Sequence, residues 1–279
     1  MKKTVTLISL LLVLVLLFGC GRPGLRQEQP TTEPETTLSP TVAVTFPEGF
    51  TAVQIAKRLE ENGVCQADDF IALLNEPGEI AGEYPFLAEI NNPEERPFLL
   101  EGYIFPDTYE FYRGENVQSV LNRFLKNAAN KLTDEYALRA EQLGYTIDEV
   151  VTLASIIQKE AGMKEQMGKV SSVLHNRIES PNYGKLQCDV TINYINDYVT
   201  GSEYLHDSAT DYSALYNTYK CSGLPAGAIC NPGIDAIQAA LYPEKTDYFF
   251  FVTDKDDNYY YASTYEEHKE NCRACGIEG

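Results

Sequence analysis

Basic residues are scarce in this chain: 22 Lys and Arg stand against 41 Asp and Glu, a formal charge of −19 over 279 residues. A nucleic-acid binder needs a basic footprint, so that class is excluded. Tryptophan is absent, which leaves the aromatic surface to 19 Tyr and 12 Phe. Tyr suits sugar contacts, because its ring stacks and its hydroxyl hydrogen-bonds, but it is equally at home on strands. No internal repeat and no repeated βαβ unit occurs, which argues against an ordinary solute-binding protein. The apolar run from Val5 to Phe18 is too short to span a bilayer comfortably. His268, Cys272 and Cys275 lack an evident fourth ligand at any strong metal spacing, so neither a metal nor a cofactor is expected.

What is present at the N-terminus sets the compartment. Lys2 and Lys3 precede the apolar run, and Gly19-Cys20 closes it, the layout of a secretory signal over residues 1–20. Leu17-Phe18-Gly19-Cys20 resembles a bacterial lipobox, with Cys20 as the lipidated residue; Phe18 is unusual there, so an uncleaved signal anchor is the alternative. Either form places the body outside the cytoplasm, held at the cell membrane by acyl chains on Cys20 or by the apolar segment. Residues 21–40 carry Pro23, Pro30, Pro34 and Pro40 among Thr, Glu and Gln, an extended linker. The six further Cys permit three disulfides, and Cys221 and Cys230, flanking a Gly/Pro loop, make a plausible pair.

Local signals then divide the body. A strand is expected from Val42 to Phe46. A helix capped by Thr51 follows and is stopped by Gly63, and a second starts at Asp68 or Asp69 and ends at Pro77-Gly78. Tyr103-Ile104-Phe105 and Thr108 to Tyr112 read as strands around Pro106-Asp107. Helical spacing marks Val117 to Ala128, Thr133 to Leu143 and Met167 to Ile178, and Thr146-Ile147-Asp148-Glu149 is a capping box that launches a helix reaching Glu160. From residue 186 the chain reads as loop-rich, with a short helix from Ile234 to Leu241 and a hairpin formed by Tyr248–Val252 and Tyr259–Ala262.

Glu160 is the most telling residue. Leu153, Ile156 and Ile157 lie seven, four and three positions before it, so an apolar stripe contains a carboxylate while Gln158 and Lys159 point elsewhere. Partial dehydration and the negative end of the helix dipole both disfavour the anion and raise the pKa. A carboxylic acid kept protonated near neutral pH is what glycosidic cleavage requires. The plain alternative is an end-of-helix Glu that reaches out to water.

Five blocks in order decide between these. They are Leu100-Glu101-Gly102-Tyr103-Ile104-Phe105-Pro106-Asp107-Thr108-Tyr109, Ala154 to Glu160, Val170 to Arg177, Leu186 to Thr191, and Tyr216 to Tyr219 with its continuation through Gly223-Leu224-Pro225 to Asn231-Pro232-Gly233. Together they resemble the YceG-like (MltG) family of endolytic murein transglycosylases over roughly residues 42 to 270. The resemblance implies an α+β fold: a small LysM-like βααβ subdomain, 41–112, then a mainly helical lysozyme-like catalytic domain with a β-hairpin, 113–279. It implies a membrane-tethered enzyme that cuts the MurNAc–GlcNAc β-1,4 bond within peptidoglycan strands, leaves 1,6-anhydro ends and so ends glycan polymerisation beside partner cell-wall synthases. The family's catalytic acid falls on Glu160. Gln158 replaces a usual Glu, Cys188-Asp189-Val190 replaces a usual Ser-Asp-Pro, and Ala226 replaces a usual Pro; the last two read as local loop changes.

The chemistry closes on one carboxylate. The muramyl C6 hydroxyl is tethered to the reacting ring, so it attacks without a recruited water, and Glu160 acts as acid and then as base. Gln187, Asn217, Asp189 and Tyr219 are candidate substrate contacts, although Asn and Asp also cap turns and Tyr also packs. Glu101 either lines the cleft or makes a buried structural pair, the latter being favoured. His175, Asn176 and Arg177 read as hydrogen-bonding supports, and Asn231-Pro232-Gly233 as the start of a helix. A hydrolytic muramidase and an inactive glycan-binding lipoprotein are the alternatives.

Overall fold

The computed structural model describes residues 40–205 and 210–277. The expected signal, Cys20 and the linker as far as Ser39 lie outside the described residues. Strand β1 (Thr41–Thr45) pairs antiparallel with β2 (Thr108–Tyr112), from Thr41 opposite Tyr112 to Thr45 opposite Thr108. Between them come α1 (Ala52–Glu61) and α2 (Ala67–Asn75). Thr51 and Gln54 form a reciprocal capping box at α1, and Ile55, Ala56 and Leu59 turn its apolar side inward. Helix α2 starts at Ala67, ahead of the expected Asp68 or Asp69, because those carboxylates serve in its first turn, where the dipole favours them, and not as its cap.

One expectation for this region is corrected. Tyr103–Phe105 is not a strand: the Gly102 and Ile104 amides donate at 3.0 and 2.8 Å to the side-chain oxygen of Asn231, which replaces a neighbouring strand as acceptor. Packing continues across residues 112 and 113. Helix α3 (Val117–Lys131) lays Phe124 on Phe46, Tyr109 and Phe111 of the sheet region, with ring centroids 4.5–5.8 Å apart, and on Phe70 of α2 at 5.9 Å. The small sheet could not cover its own apolar face, so residues on both sides of the expected boundary share one core.

Helix α4 (Asp134–Leu143) starts at Thr133 and ends on Gly144. Helix α5 (Ile147–Glu160) begins with the Thr146–Glu149 capping box. It is buried on nearly every face from Ile147 to Ile157, not only along one stripe, because α4, α6 (Lys164–Glu179) and α9 (Ile234–Leu241) pack around it. Only its last turn emerges. The segment from residue 186 is more helical than its turn residues suggest: α7 (Asp189–Tyr194) runs into a π-type turn at Ile195–Val199, and α8 (Tyr212–Tyr216) follows. Strands β3 (Phe250–Thr253) and β4 (Tyr259–Ala262) form the expected hairpin.

An unexpected helix, α10 (Tyr265–Ala274), closes the described chain on this hairpin. Its single buried residue, Cys272, gives no apolar stripe to read. The described residues are thus α+β, helices with two small antiparallel sheets. None of their helices is long and apolar enough to cross a membrane. All six of their cysteines are free, so the Cys221–Cys230 pair does not form: Cys230 is fully buried, with its thiol 3.4 Å from the Ser155 carbonyl oxygen, while Cys221 stays in its half-exposed turn.

Candidate active site

Glu160 ends α5 on the floor of an open cleft of about 300 Å³. Val173, Leu174 and Arg177 of α6 share that floor. One wall is the segment Leu186 to Val190 with Tyr219; the other is aromatic, from Phe249, Phe250 and Phe251 of the hairpin and Tyr265 and His268 of α10. Burial pushes the Glu160 carboxyl up to about 7; a hydrogen bond from the Cys188 thiol opposes the rise and the nearby Asp189 charge adds to it. The site therefore holds a carboxyl poised to give a proton near neutral pH and to take it back.

The position of Glu160 is secured from the hairpin. The Tyr259 hydroxyl donates to the Glu160 carbonyl oxygen at 3.0 Å and accepts from the Gly162 amide at 2.8 Å, so one side chain ties the end of α5 to the turn after it. Sequence reasoning missed Tyr259, and no local signal could have found it, because its partners lie nearly a hundred residues away. Cys188 also contributes to the site. Its change from the usual serine is no mere loop adjustment, since the buried thiol sits against the Glu160 carboxylate.

Gln187, Asp189 and Tyr219 come together in the cleft. Gln187 holds a left-handed backbone, φ +58°, which is uncommon for a residue with a side chain and adds strain in this loop. Its side-chain oxygen accepts from Arg177, whose other nitrogens donate to the Lys185 and Phe249 carbonyls at 2.9 and 3.0 Å. Arg177 is thus a buried strut between the two walls, the supporting role expected of it. The Tyr219 hydroxyl donates to Asp189 at 2.8 Å.

Two candidates fall elsewhere. Asn217 does not line the cleft: its side chain accepts from the Tyr219 amide at 2.9 Å and its carbonyl from Lys220 at 2.8 Å, so it builds the turn that presents Tyr219. Glu101 is sealed in the core, only 2% exposed, and cannot reach a substrate. Its carboxylate accepts from the Ala52 amide at 2.9 and 3.0 Å, from Asn231 at 2.8 Å and from Tyr194 at 3.3 Å. Asn231 also donates to the Phe50 carbonyl at 3.0 Å, so Asn231 and Glu101 together join the loops before α1, before β2 and before α9. Gln158 faces away from the cleft as well, accepting from the Gly233 amide at 2.9 Å and donating to Glu48.

The profile of the YceG-like family matches residues 24–274. The chain belongs to the YceG-like family. It is 28% identical over 260 residues to a protein of Streptococcus pneumoniae named endolytic murein transglycosylase, covering 88% of this chain and 46% of that relative. A Bacillus subtilis protein of the same name is 29% identical over 238 residues, covering 81% of this chain and 63% of the relative. A YceG-like protein from Listeria monocytogenes, known from a 2.6 Å crystal structure, superposes with a TM-score of 0.67 at 30% identity, covering 84% of this chain and 76% of that one. The chain spans about half the length of the streptococcal relative and less than two thirds of the Bacillus one.

Proposed function

We propose that this YceG-like chain is an endolytic peptidoglycan lytic transglycosylase with Glu160 as its catalytic acid and base. The observation that carries the reading is a single dehydrated carboxyl, held near neutral pKa on the floor of a cleft with one polar and one aromatic wall. The relatives' name, endolytic murein transglycosylase, supports the substrate class. Protonated Glu160 donates to the oxygen leaving muramyl C1 as the β-1,4 bond to the next sugar breaks. The muramyl C6 hydroxyl then attacks C1 and returns its proton to Glu160, giving a 1,6-anhydro end without consuming water. Asp189, with Tyr219 holding one of its oxygens, is placed to stabilise the positive charge that develops at C1.

A second reading rests on that same Asp189. A second carboxylate in the cleft could instead activate water, which would make the protein a hydrolytic muramidase. Purified uncrosslinked glycan strands, digested and weighed by mass spectrometry, separate the two, because the anhydro end is lighter by one water. The transglycosylase reading expects anhydro ends from the wild type and a loss of roughly 10³-fold in Glu160→Gln. Hydrolytic ends, or full activity in Glu160→Gln, would overturn it. The LysM-like character of the strand–helix–helix–strand region, anchoring through Cys20, release of growing strands from polymerisation and association with synthases belong to the same proposal.

A further inference from the structure

The aromatic wall is unused by the chemistry just described, and its rim is not built for packing. Tyr265 is 54% exposed although it lines the cleft. Helix α10, which it begins, is secured without it: Thr264 and Glu267 form its capping box, and Cys272 supplies its buried contact. Behind Tyr265, Phe250 already has partners. His268 stacks on it with centroids 5.1 Å apart and planes 19° off parallel, and the Arg177 guanidinium lies 5.4 Å from its centroid. Phe250 therefore backs the wall, 5.8 Å from Tyr265; the Lys269 ammonium lies 5.1 Å from the Tyr265 centroid, and Tyr265 is the more exposed ring at the rim of the cleft.

The two walls match the two chemistries of a pyranose. A β-linked sugar with equatorial substituents has a rim of hydroxyl and acetamido groups and a face of C–H bonds. The rim suits Gln187, Asp189 and Tyr219, and the face suits an aromatic ring. We propose that Tyr265, backed by the Phe250–His268 stack, forms a stacking subsite for one ring of a β-1,4-linked N-acetylhexosamine strand, so that α10 belongs to the glycan-binding surface. Burial and then Arg177 hold the His268 pKa below the usual range, which favours its uncharged form beside that ring. The proposal rests on the glycan-cleaving reading above and adds to it a recognition element outside the catalytic group.

The test uses the full chain carrying Glu160→Gln, which binds without turning over, and titrates it calorimetrically with purified uncrosslinked glycan strands. Adding Tyr265→Ala is expected to weaken binding about tenfold, while Tyr265→Phe, which keeps the ring, stays within about twofold. In the active background Tyr265→Ala raises KM by a similar factor and leaves kcat and its pH profile unchanged. Tyr265→Ala binding like its parent overturns the subsite while the parent's own binding keeps the glycan reading. An equal loss in Tyr265→Phe also overturns it, because the hydroxyl and not the ring would then be responsible. If the Glu160→Gln parent does not bind and the wild type does not cleave, both the reading and the subsite fall.

Discussion

Glu101 and Glu160 are two carboxyls in one molecule that burial pushes in the same direction, Glu101 to about 8 and Glu160 to about 7. Their surroundings differ completely. Glu101 is enclosed by donors from Ala52, Asn231 and Tyr194, and no cleft reaches it. Glu160 has the Cys188 thiol on one side and open space on the other. A raised pKa therefore does not identify a catalytic group; access to a reacting atom does. The first carboxyl joins three loops, and the second is left free for chemistry.

Exchanging each for its amide is the largest perturbation of this contrast. Glu160→Gln is expected to lose roughly 10³-fold in turnover while its thermal midpoint stays within a degree or two, because the amide still fits a partly solvated position. Glu101→Gln is expected to do the reverse. Its NH2 group must face the Ala52 amide or the Asn231 side-chain NH2, donor against donor, at a cost of about 2 kcal/mol in a urea titration above pH 8, where the parent carboxyl is ionised, while turnover per folded molecule persists. If both variants lost turnover with stability intact, the contrast would be broken.

A smaller effect probes the enclosed side. Gln158 donates to Glu48, which packs so closely over Gly233 that a Cβ there would clash with its carboxyl. Restoring the family's usual acid with Gln158→Glu sets two carboxylates together and is expected to cost roughly 1 kcal/mol at pH 7. The sign follows from the repulsion: it exists only when both groups are ionised, so the penalty shrinks as pH falls and one of them takes a proton. Equal destabilisation at pH 4 and pH 7 would refute the charge explanation.

The smallest effect sharpens the open side. In the proposed mechanism Glu160 starts protonated, so kcat/KM should fall as pH rises through about 7. In Cys188→Ser a hydroxyl replaces the thiol as donor to the carboxylate, favours the anion more strongly, and should move that fall to lower pH by less than a unit. A shift to higher pH would show that residue 188 does not hydrogen-bond to the ionised acid.

Much of the helical framework was legible before folding. The Thr51–Gln54 and Thr146–Glu149 boxes and the left-handed Gly144 mark helix ends through contacts three or four residues apart. The Glu160 signal was legible for the same reason, since Leu153, Ile156 and Ile157 share its face within two turns. The site was half legible: Gln187, Asp189 and Tyr219 reach the cleft and Glu101 takes the buried structural role favoured for it, whereas Asn217 is polar for an architectural reason that its local sequence does not distinguish. Helix α10 also carries a capping box, Thr264 with Glu267, but its polar flanks hid it and the aromatic wall with it.

The sequence alone determined where most helices begin and end and that the Glu160 carboxyl would be dehydrated, because backbone geometry converts short spacings into shared faces. Tertiary structure decided the rest. It set Asn231 as hydrogen-bond partner for the loop at Gly102 and Ile104, placed Phe124 on the sheet, brought Tyr259 to the end of the helix that carries Glu160 and put Cys188 against that carboxyl. Those contacts join residues tens to more than a hundred positions apart. Their energy comes from satisfying buried polar groups and covering apolar faces, which no local stretch of chain can do for itself.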